Sequence, residues 1–408
     1  MVPTNSTAAA TRLSTAGAAP ASNASAPLDF VVKPVETRRE RKAFLELPWQ
    51  LYRDDPNWIP PLRLNQKELV GYAHHPFYDD AKGQTFLALS GGRAIGRIEA
   101  IENPVHNRFH QERRGFFGFF ESIDNQQVAS ALFDAARNWL AARDIHQMRG
   151  PVNPSLNYEC GLLVDGFQIP PTFMMTYNHP YYGRLIENYG FRKAQDLFAF
   201  WAPIDLIPRL DAKLLFVAQE AASRLSLEMR PMDKSRFRQE IEMFLDLYNQ
   251  SLGGTWGFVP LSKREIDHMS ASLKHLIIPE LAMVASVAGK PIGAVFAIPD
   301  YNPRIKQIDG RLFPFGFLKL ISKKRNFRRF RVISANVIPE YQRWGVGLVL
   351  LRSLIPKILE SNFQDAEFSW VLESNHLSRR SLEKGGAVAE KTYRIYDYPP
   401  PAEATPAT

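Results

Sequence analysis

The chain has 408 residues, of which 45% are apolar and 23% charged, a composition typical of a soluble globular protein. The net charge of +8 favours acidic partners such as phosphate-bearing cofactors, anionic lipid surfaces or nucleic acid. Cys160 is the only cysteine, which excludes an intramolecular disulfide, and no apolar run reaches the roughly 18 residues of a membrane-spanning helix. These features suit the reducing cytoplasm.

The first 27 residues are mostly Ala, Ser, Thr, Pro and Asn and lack the apolar centre of a signal peptide. We predict a disordered tail over 1–27, with an organellar transit segment as the alternative, and a second short tail over 401–408. At about 150 residues per domain, the remainder predicts two domains.

The two parts repeat one pattern. Residues 86–97 and 282–293 both indicate a strand, a turn and a strand, and Gly96 and Gly293 lie 197 positions apart. Gly190 and Gly386, each at the predicted end of a helix, are 196 apart. We therefore predict two copies of one α/β domain with a mixed sheet, over 28–205 and 206–400.

In the first copy, residues 115–121 predict a strand, and Asn125 precedes a predicted helix over 126–143. Glu121 and Asp124 lie at the start of this helix, where carboxylates would repel a phosphate group. An insertion over about 152–178 follows, and its first part combines Asn157, Glu159 and Cys160 with other polar residues.

The second copy carries its insertion at about 299–330. Residues 312–321 are rich in Phe and Leu, and six basic residues follow closely: Lys323, Lys324, Arg325, Arg328, Arg329 and Arg331. Apolar wedges beside cations favour contact with an anionic membrane surface through about 312–331. The alternative is a helix packed on its own domain. Aromatic residues of a nucleic-acid surface would more often follow a groove, so we expect no nucleic-acid partner.

Residues 330–337 predict a buried strand, and 349–358 a helix. Between them lies a glycine-rich turn that contains Gln342, Arg343, Trp344, Gly345, Val346, Gly347 and Leu348. Glycines allow close approach of a ligand, and the first helical N–H groups attract an anion, which indicates a phosphate site. The alternative is a turn with no ligand. The spacing fits neither a P-loop nor a Rossmann loop.

A strand over 366–372 and a helix capped by Asn375 are predicted next. The Gln-x-x-Gly-x-Gly turn and this second motif together resemble the signatures of the GNAT superfamily of N-acetyltransferases. The resemblance implies that the turn and Asn375 bind the co-substrate acyl-CoA in the second copy alone. It also implies that the backbone of Asn336, Val337 and Ile338 contacts the pantetheine arm.

The resemblance implies an acceptor pocket beside the first insertion, where Glu159 is the preferred general base. Other catalytic candidates are His106, Glu373 and Asn157, and each could instead have a structural role. His106 and His110 lack a third suitably spaced ligand, so no metal site is predicted. Leu382 occupies the position where the superfamily often has a tyrosine that acts as the general acid and protonates the leaving thiolate.

The runs 47–52, 115–121, 157–167 and 369–375 make the chain similar to two-domain bacterial GNAT proteins that include the bacterial ceramide synthases. This resemblance implies an acyl-CoA-dependent N-acyltransferase that acts on a long-chain amine or sphingoid base, in the cytoplasm and at the inner membrane surface. The alternatives are a small-molecule or peptide N-acetyltransferase and an inactive acyl-CoA or lipid sensor.

Overall fold

The computed structural model describes residues 28–322 and 326–399, so the predicted tails lie outside it. The strands are β1 (Val31–Pro34), β2 (Lys82–Ser90), β3 (Arg93–Glu102), β4 (Arg114–Ser122), β5 (Gln147–Gly150), β6 (Val152–Asn153), β7 (Glu159–Cys160), β8 (Leu162–Asp165), β9 (Arg192–Pro203), β10 (Glu228–Pro231), β11 (Ala282–Val287), β12 (Lys290–Pro299), β13 (Arg329–Val337), β14 (Asp365–Leu372) and β15 (Val388–Tyr398). The helices are α1 (Arg38–Leu51), α2 (Arg63–Leu69), α3 (Pro104–His110), α4 (Gln126–Ala141), α5 (Tyr182–Tyr189), α6 (Ala212–Arg224), α7 (Phe237–Leu252), α8 (Lys263–Leu273), α9 (Asn302–Gln307), α10 (Gly316–Ile321), α11 (Val346–Ser353), α12 (Ile355–Leu359) and α13 (His376–Lys384).

One mixed sheet runs through the described residues in the order β1-β2-β3-β4-β5-β15-β9-β14-β13-β12-β11-β10, with β8 also beside β15. Two pairs in it are parallel, β4 with β5 and β13 with β14. The elements that surround each parallel pair follow the same order in both parts of the chain. This arrangement confirms the predicted α/β class with a mixed sheet.

The last strands of the two parts are exchanged. Strand β9, which ends the first part, pairs with β14 of the second, and β15, which ends the second part, pairs with β5 of the first. Strands β9 and β15 also pair with each other. The boundary predicted between residues 205 and 206 remains a prediction, because the sheet continues across both parts.

Local signals in the sequence account for most helix starts. The side chains of Asn125 and Asn375 accept the backbone N–H groups of Val128 and Ser378, so each asparagine caps its helix as predicted. The helix predicted over 349–358 is instead two helices, α11 and α12. Pro356 has no N–H group and lies in the first turn of α12, where that group is not needed.

Strand β13 separates from its parallel neighbour partway along its length. Pairing between β13 and β14 runs only from Arg329 to Val332, although β13 continues to Val337. The remaining edge of β13 faces an opening in the sheet. Strands β4 and β5 likewise pair only from Arg114 to Phe116.

Three charged side chains are buried where β13 and β14 begin to separate. Arg331, Glu367 and Lys391 are 2%, 1% and 1% exposed. The Glu367 carboxylate lies 3.2 Å from Lys391 Nζ and accepts hydrogen bonds from Ser369 and Thr172. Arg331 donates to Ser369 Oγ at 2.8 Å. We call Arg331, Glu367 and Lys391 the buried charge cluster.

The fold predicts a large stability loss for Glu367→Gln. Burial raises the pKa of Glu367, but Lys391 and Arg331 reverse that effect and hold it below the ordinary value, so the carboxylate is charged. Its loss removes the carboxylate that attracts two buried cations and leaves Lys391 paired with Glu390 alone, 3.2 Å away, so we expect a cost of about 3 kcal/mol. Urea unfolding measures this cost. The exposed Glu383→Gln is the control and should stay within about 0.5 kcal/mol of wild type.

Candidate functional site

A cavity of about 2080 Å³ lies between the two parts of the chain. It exceeds the roughly 300–1,000 Å³ of ordinary small-molecule pockets. Contacts across the parts enclose it: Asn157 Nδ2 donates to the Val259 carbonyl at 2.9 Å, and Thr172 Oγ1 donates to Glu367 at 2.6 Å. The cavity can therefore hold more than one small molecule, or one long molecule.

The glycine-rich turn lies at one end of the cavity. Its first three residues, Gln342 to Trp344, end a short helix over Pro339–Trp344, and Gly345 has a φ of 81°, which favours glycine. A side chain at Gly345 would also meet Val217 Cγ1 at 3.1 Å, whereas a Cβ at Gly347 would meet nothing within 4 Å. The space beside Gly347 at the start of α11 is therefore open to a ligand.

Five of the seven predicted residues of the turn line the cavity, and two do not. Gln342, Arg343, Gly345, Gly347 and Leu348 line the cavity, and Arg343 is exposed. In contrast, Trp344 is 53% exposed and is not in the cavity wall, and Val346 is fully buried in the core. Gln342 also fastens the turn, because its Nε2 donates to the carbonyls of Ser251 and Val337.

The open edge of β13 forms the cavity wall next to the turn. Asn336 and Val337 line it, but Ile338 does not: its N–H donates to the Ile292 carbonyl and its side chain is buried. Asn336 is 3% exposed, and its Nδ2 has no hydrogen-bond partner among the described residues. Asn375 and Leu382 also line the cavity.

Glu159 lies in the cavity wall on β7. Burial raises the pKa of Glu159 to about 7, and the nearby Arg331 and a hydrogen bond with Asn153 partly oppose this shift. A carboxyl group with this pKa changes its protonation state near neutral pH, as a general base requires. Burial raises the pKa of the adjacent Cys160 to about 12, so its thiol is protonated and a poor nucleophile.

The other predicted catalytic residues have structural contacts. Asn157 lines the cavity, but its amide binds the Val259 carbonyl and the Tyr248 hydroxyl. His106 is 1% exposed, lies outside this cavity and has its Nε2 2.7 Å from the Glu112 carboxylate. Glu373 also lies outside it and pairs with Lys193 at 2.8 Å. The structure therefore brings only Glu159 and Asn157 to the cavity.

In the first part of the chain, the opening between β4 and β5 is filled by the insertion itself. Asn153 Oδ1 accepts the Phe119 N–H at 2.7 Å, and a Cβ at Gly118 would lie 1.8 Å from the Val152 carbonyl oxygen. Glu121 is buried, with its carboxylate 3.5 Å from Arg97 and within hydrogen-bond distance of the Tyr52 and Tyr182 hydroxyls, and Asp124 pairs with Arg184. The insertion thus adds a steric reason for a single ligand site to the electrostatic one.

The segment predicted to face a membrane is exposed in part. Phe313 and Phe315 are 74% and 73% exposed, whereas Leu320 is 5% exposed. The prediction of six basic residues on one surface is wrong for Arg331, which is buried beside Ser369. Arg329 pairs with Asp365, and residues 323–325 lie outside the described part of the chain.

Sequence reasoning missed the buried charge cluster. A signal was present, because Arg331 lies between the apolar residues Phe330, Val332 and Ile333. A cation in such a strand indicates a buried partner rather than a surface patch.

Neither a membrane-spanning helix nor a candidate metal cluster occurs in the described ranges. No helix within 28–322 and 326–399 is long and apolar enough to cross a bilayer. The same ranges contain no group of three or more His, Cys, Asp or Glu side chains placed to hold a metal ion.

Solved structures show the fold. The chain superimposes on a tandem GNAT protein from the clavulanic acid biosynthesis pathway with a TM-score of 0.54 and 10% identity, over 92% of this chain and all of that one. A GCN5-related N-acetyltransferase from Sphaerobacter thermophilus gives a TM-score of 0.51 and 12% identity, with 90% and 95% coverage. The predicted tandem GNAT fold is therefore confirmed.

No protein-family model matches the chain. Two relatives match about nine tenths of it. Protein YghO of Escherichia coli K12 is 33% identical over 376 residues, which cover 90% of this chain and 95% of that protein. The bacterial ceramide synthase of Caulobacter vibrioides is 34% identical over 380 residues, with 90% and 97% coverage. The chain, which has the tandem GNAT fold, belongs to the family of YghO and this bacterial ceramide synthase.

Proposed function

We propose that the protein is an acyl-CoA-dependent N-acyltransferase that transfers a long acyl chain to the amine of a lipid such as a sphingoid base. The observation that carries this proposal is the single cavity that joins the glycine-rich turn to Glu159. The name of the Caulobacter relative supports the lipid acceptor. The apolar residues in the cavity wall, among them Trp58, Ile59, Leu64, Phe119 and Leu320, suit alkyl chains.

The residues at the turn fit the phosphates and arm of acyl-CoA. Arg343 supplies a positive charge, and the open space beside Gly347 lets a phosphate approach the N–H groups at the start of α11. Asn336 Nδ2 is buried and has no partner in the described ranges, so it can donate to a carbonyl of the co-substrate. The open edge of β13 offers further backbone groups.

Glu159 would act as the general base. The amine nitrogen attacks the thioester carbon, a C–N bond forms, the C–S bond breaks, and CoA leaves as a thiolate that takes up a proton. Glu159 accepts the proton that the amine loses, and its pKa near 7 suits this role at neutral pH. Leu382 lines the cavity where the superfamily often has a tyrosine, so that side chain does not protonate the thiolate.

We further propose that residues 312–331 contact the inner membrane surface from the cytoplasm. Phe317 and Ile321 line the cavity and are also 39% and 45% exposed, so they form part of its rim beside the exposed Phe313 and Phe315. A lipid substrate could then pass between the bilayer and the cavity without crossing water. The exposed cations at Lys319 and Arg328 suit anionic headgroups.

One alternative has a specific observation in its favour. Leu382 at the position of the usual acid is consistent with an inactive acyl-CoA or lipid sensor. Such a protein would bind acyl-CoA without release of CoA. The large cavity argues against a third possibility, an acetyltransferase for small polar amines.

Glu159→Gln should abolish most of the activity. We expect CoA release from palmitoyl-CoA with a sphingoid base, an amide product by mass spectrometry, and a loss of about 10²–10⁴-fold in the variant. Below pH 7 Glu159 is protonated and cannot accept a proton, so the ratio of wild-type to variant kcat/KM should rise with pH and level off above about 7. The protonation of the amine affects wild type and variant equally, so it does not change this ratio.

A ratio of wild-type to variant kcat/KM that does not change with pH would show that Glu159 is not the base. Turnover of acetyl-CoA alone with polar amines would exclude the lipid acyltransferase, and binding of palmitoyl-CoA without CoA release from any amine would favour the sensor.

Gly347→Asp should weaken acyl-CoA binding more than Gly347→Asn does. Both side chains have the same size and enter open space, but only the aspartate places a negative charge beside the proposed phosphates. We expect the KM for palmitoyl-CoA to be at least about tenfold higher for Asp than for Asn, a gap that narrows in high salt. Equal KM values would place the phosphates elsewhere.

The double variant Phe313→Ser/Phe315→Ser should bind anionic vesicles more weakly. Each exposed phenylalanine that enters the bilayer contributes about 1.5–3 kcal/mol, so cosedimentation should fall by at least tenfold. Phe216→Ser is the control, because Phe216 is 62% exposed but lies on α6. An equal loss in the control would indicate non-specific adsorption, and no loss in the double variant would exclude this surface.

A further inference from the structure

Polar side chains line one side of the cavity, between α2 and α8, and the proposed mechanism does not use them. They are Gln66, Glu68, His75 and His268. His75 and Gln66 are only 3% and 6% exposed. Polar groups at such depth in a largely apolar space indicate a specific polar ligand.

The tautomer of His75 follows from its hydrogen bond. His75 Nδ1 accepts the Phe77 N–H at 3.2 Å and thereby caps the short helix Pro76–Asp79. Burial lowers the pKa of His75 to about 4, so the ring is neutral at pH 7 and its proton is on Nε2. Nε2 has no hydrogen-bond partner among the described residues. His75 therefore presents a donor, and not a base, to the cavity.

Acceptors line the same cavity as this donor. The His268 ring is 4.8 Å from the His75 ring, and His268 Nε2 is 3.6 Å from a Glu68 carboxylate oxygen. Gln66 also lines the cavity, and its Oε1 is buried without a partner in the described ranges. A wall that offers both a donor and acceptors matches a hydroxyl group, which both donates and accepts.

The polar wall adjoins the proposed reaction centre. Tyr158 packs edge-on against His75 with 5.2 Å between ring centroids, and its hydroxyl donates to Glu265 at 2.9 Å. Glu159 is the next residue in the chain. His75, Tyr158 and Glu159 all line the same cavity, so one acceptor molecule can contact both His75 and Glu159.

We propose that His75, Glu68 and Gln66 form a subsite for a hydroxyl group of the acceptor, adjacent to its amine. The inference rests on the proposed function and adds to it the residues that would select a sphingoid base over a simple alkylamine. His75 and Glu68 are positioning residues, since they bind a part of the acceptor that does not react.

His75→Asn tests the subsite. Asparagine can still accept the Phe77 N–H and cap the helix, but it cannot reach as far as Nε2. We expect wild type to prefer sphinganine over the aminoalkane of the same chain length by at least about tenfold in kcat/KM, because an unmatched polar site rejects the analogue. His75→Asn should lose most of that preference, because its kcat/KM for sphinganine should fall while its kcat/KM for the aminoalkane stays the same. The exposed His74→Asn is the control and should keep it.

Binding separates this proposal from the proposed function. Trp58, Trp256 and Trp370 line the cavity, so tryptophan fluorescence can report the affinities of both amines without turnover. If no amine is acylated, the proposed function fails, yet a sphinganine preference lost in His75→Asn would still support the subsite. Equal affinities in wild type, or a preference unchanged in His75→Asn, would overturn it. Should His75→Asn fail to fold, Glu68→Gln provides the same comparison.

Discussion

The site depends on the buried charge cluster of Arg331, Glu367 and Lys391. Strands β13 and β14 are paired up to Val332 and apart beyond it, and the cluster lies at that transition. Arg331 also donates to the carbonyls of Phe173 and Met174, so the first insertion is fixed against the same point. Desolvation of charged groups is costly, and their attraction offsets that cost only when the partners keep their places. The cluster thus ties the sheet opening to the insertion that carries Glu159.

The two parts of the chain share a strand arrangement, but only the second has an open ligand site. Both have a central strand that leaves its parallel neighbour. In the second part the opening forms part of the cavity and ends at a turn with open space beside Gly347, whereas in the first part Asn153 and Val152 fill it against Gly118. The two glycines therefore have different roles. Gly347 leaves space in which a ligand can bind, whereas Gly118 allows the backbone of Val152 to pack closely against β4.

Local patterns predicted the features that depend on neighbouring residues. The glycine-rich turn, the Asn375 cap and the repeated hairpins follow from spacing alone, and the structure contains each of them. Long-range features could not be predicted in this way. The burial of Arg331 requires Glu367 and Ser369, 36 and 38 positions later, and the exchange of β9 and β15 requires pairing across the whole chain. His75 showed no spacing that would distinguish it from His74, and only its depth in the cavity does so.

The exchange of the last strands affects how the protein is made. Strand β5 lies beside β15, which occupies residues 388–398 of the 408-residue chain. During synthesis, the first part leaves the ribosome long before β15 does, and its sheet ends meanwhile at an unpaired edge. Such an edge can pair with other chains. The sheet of the first part is therefore complete only once β15 has been synthesised and has paired with β5.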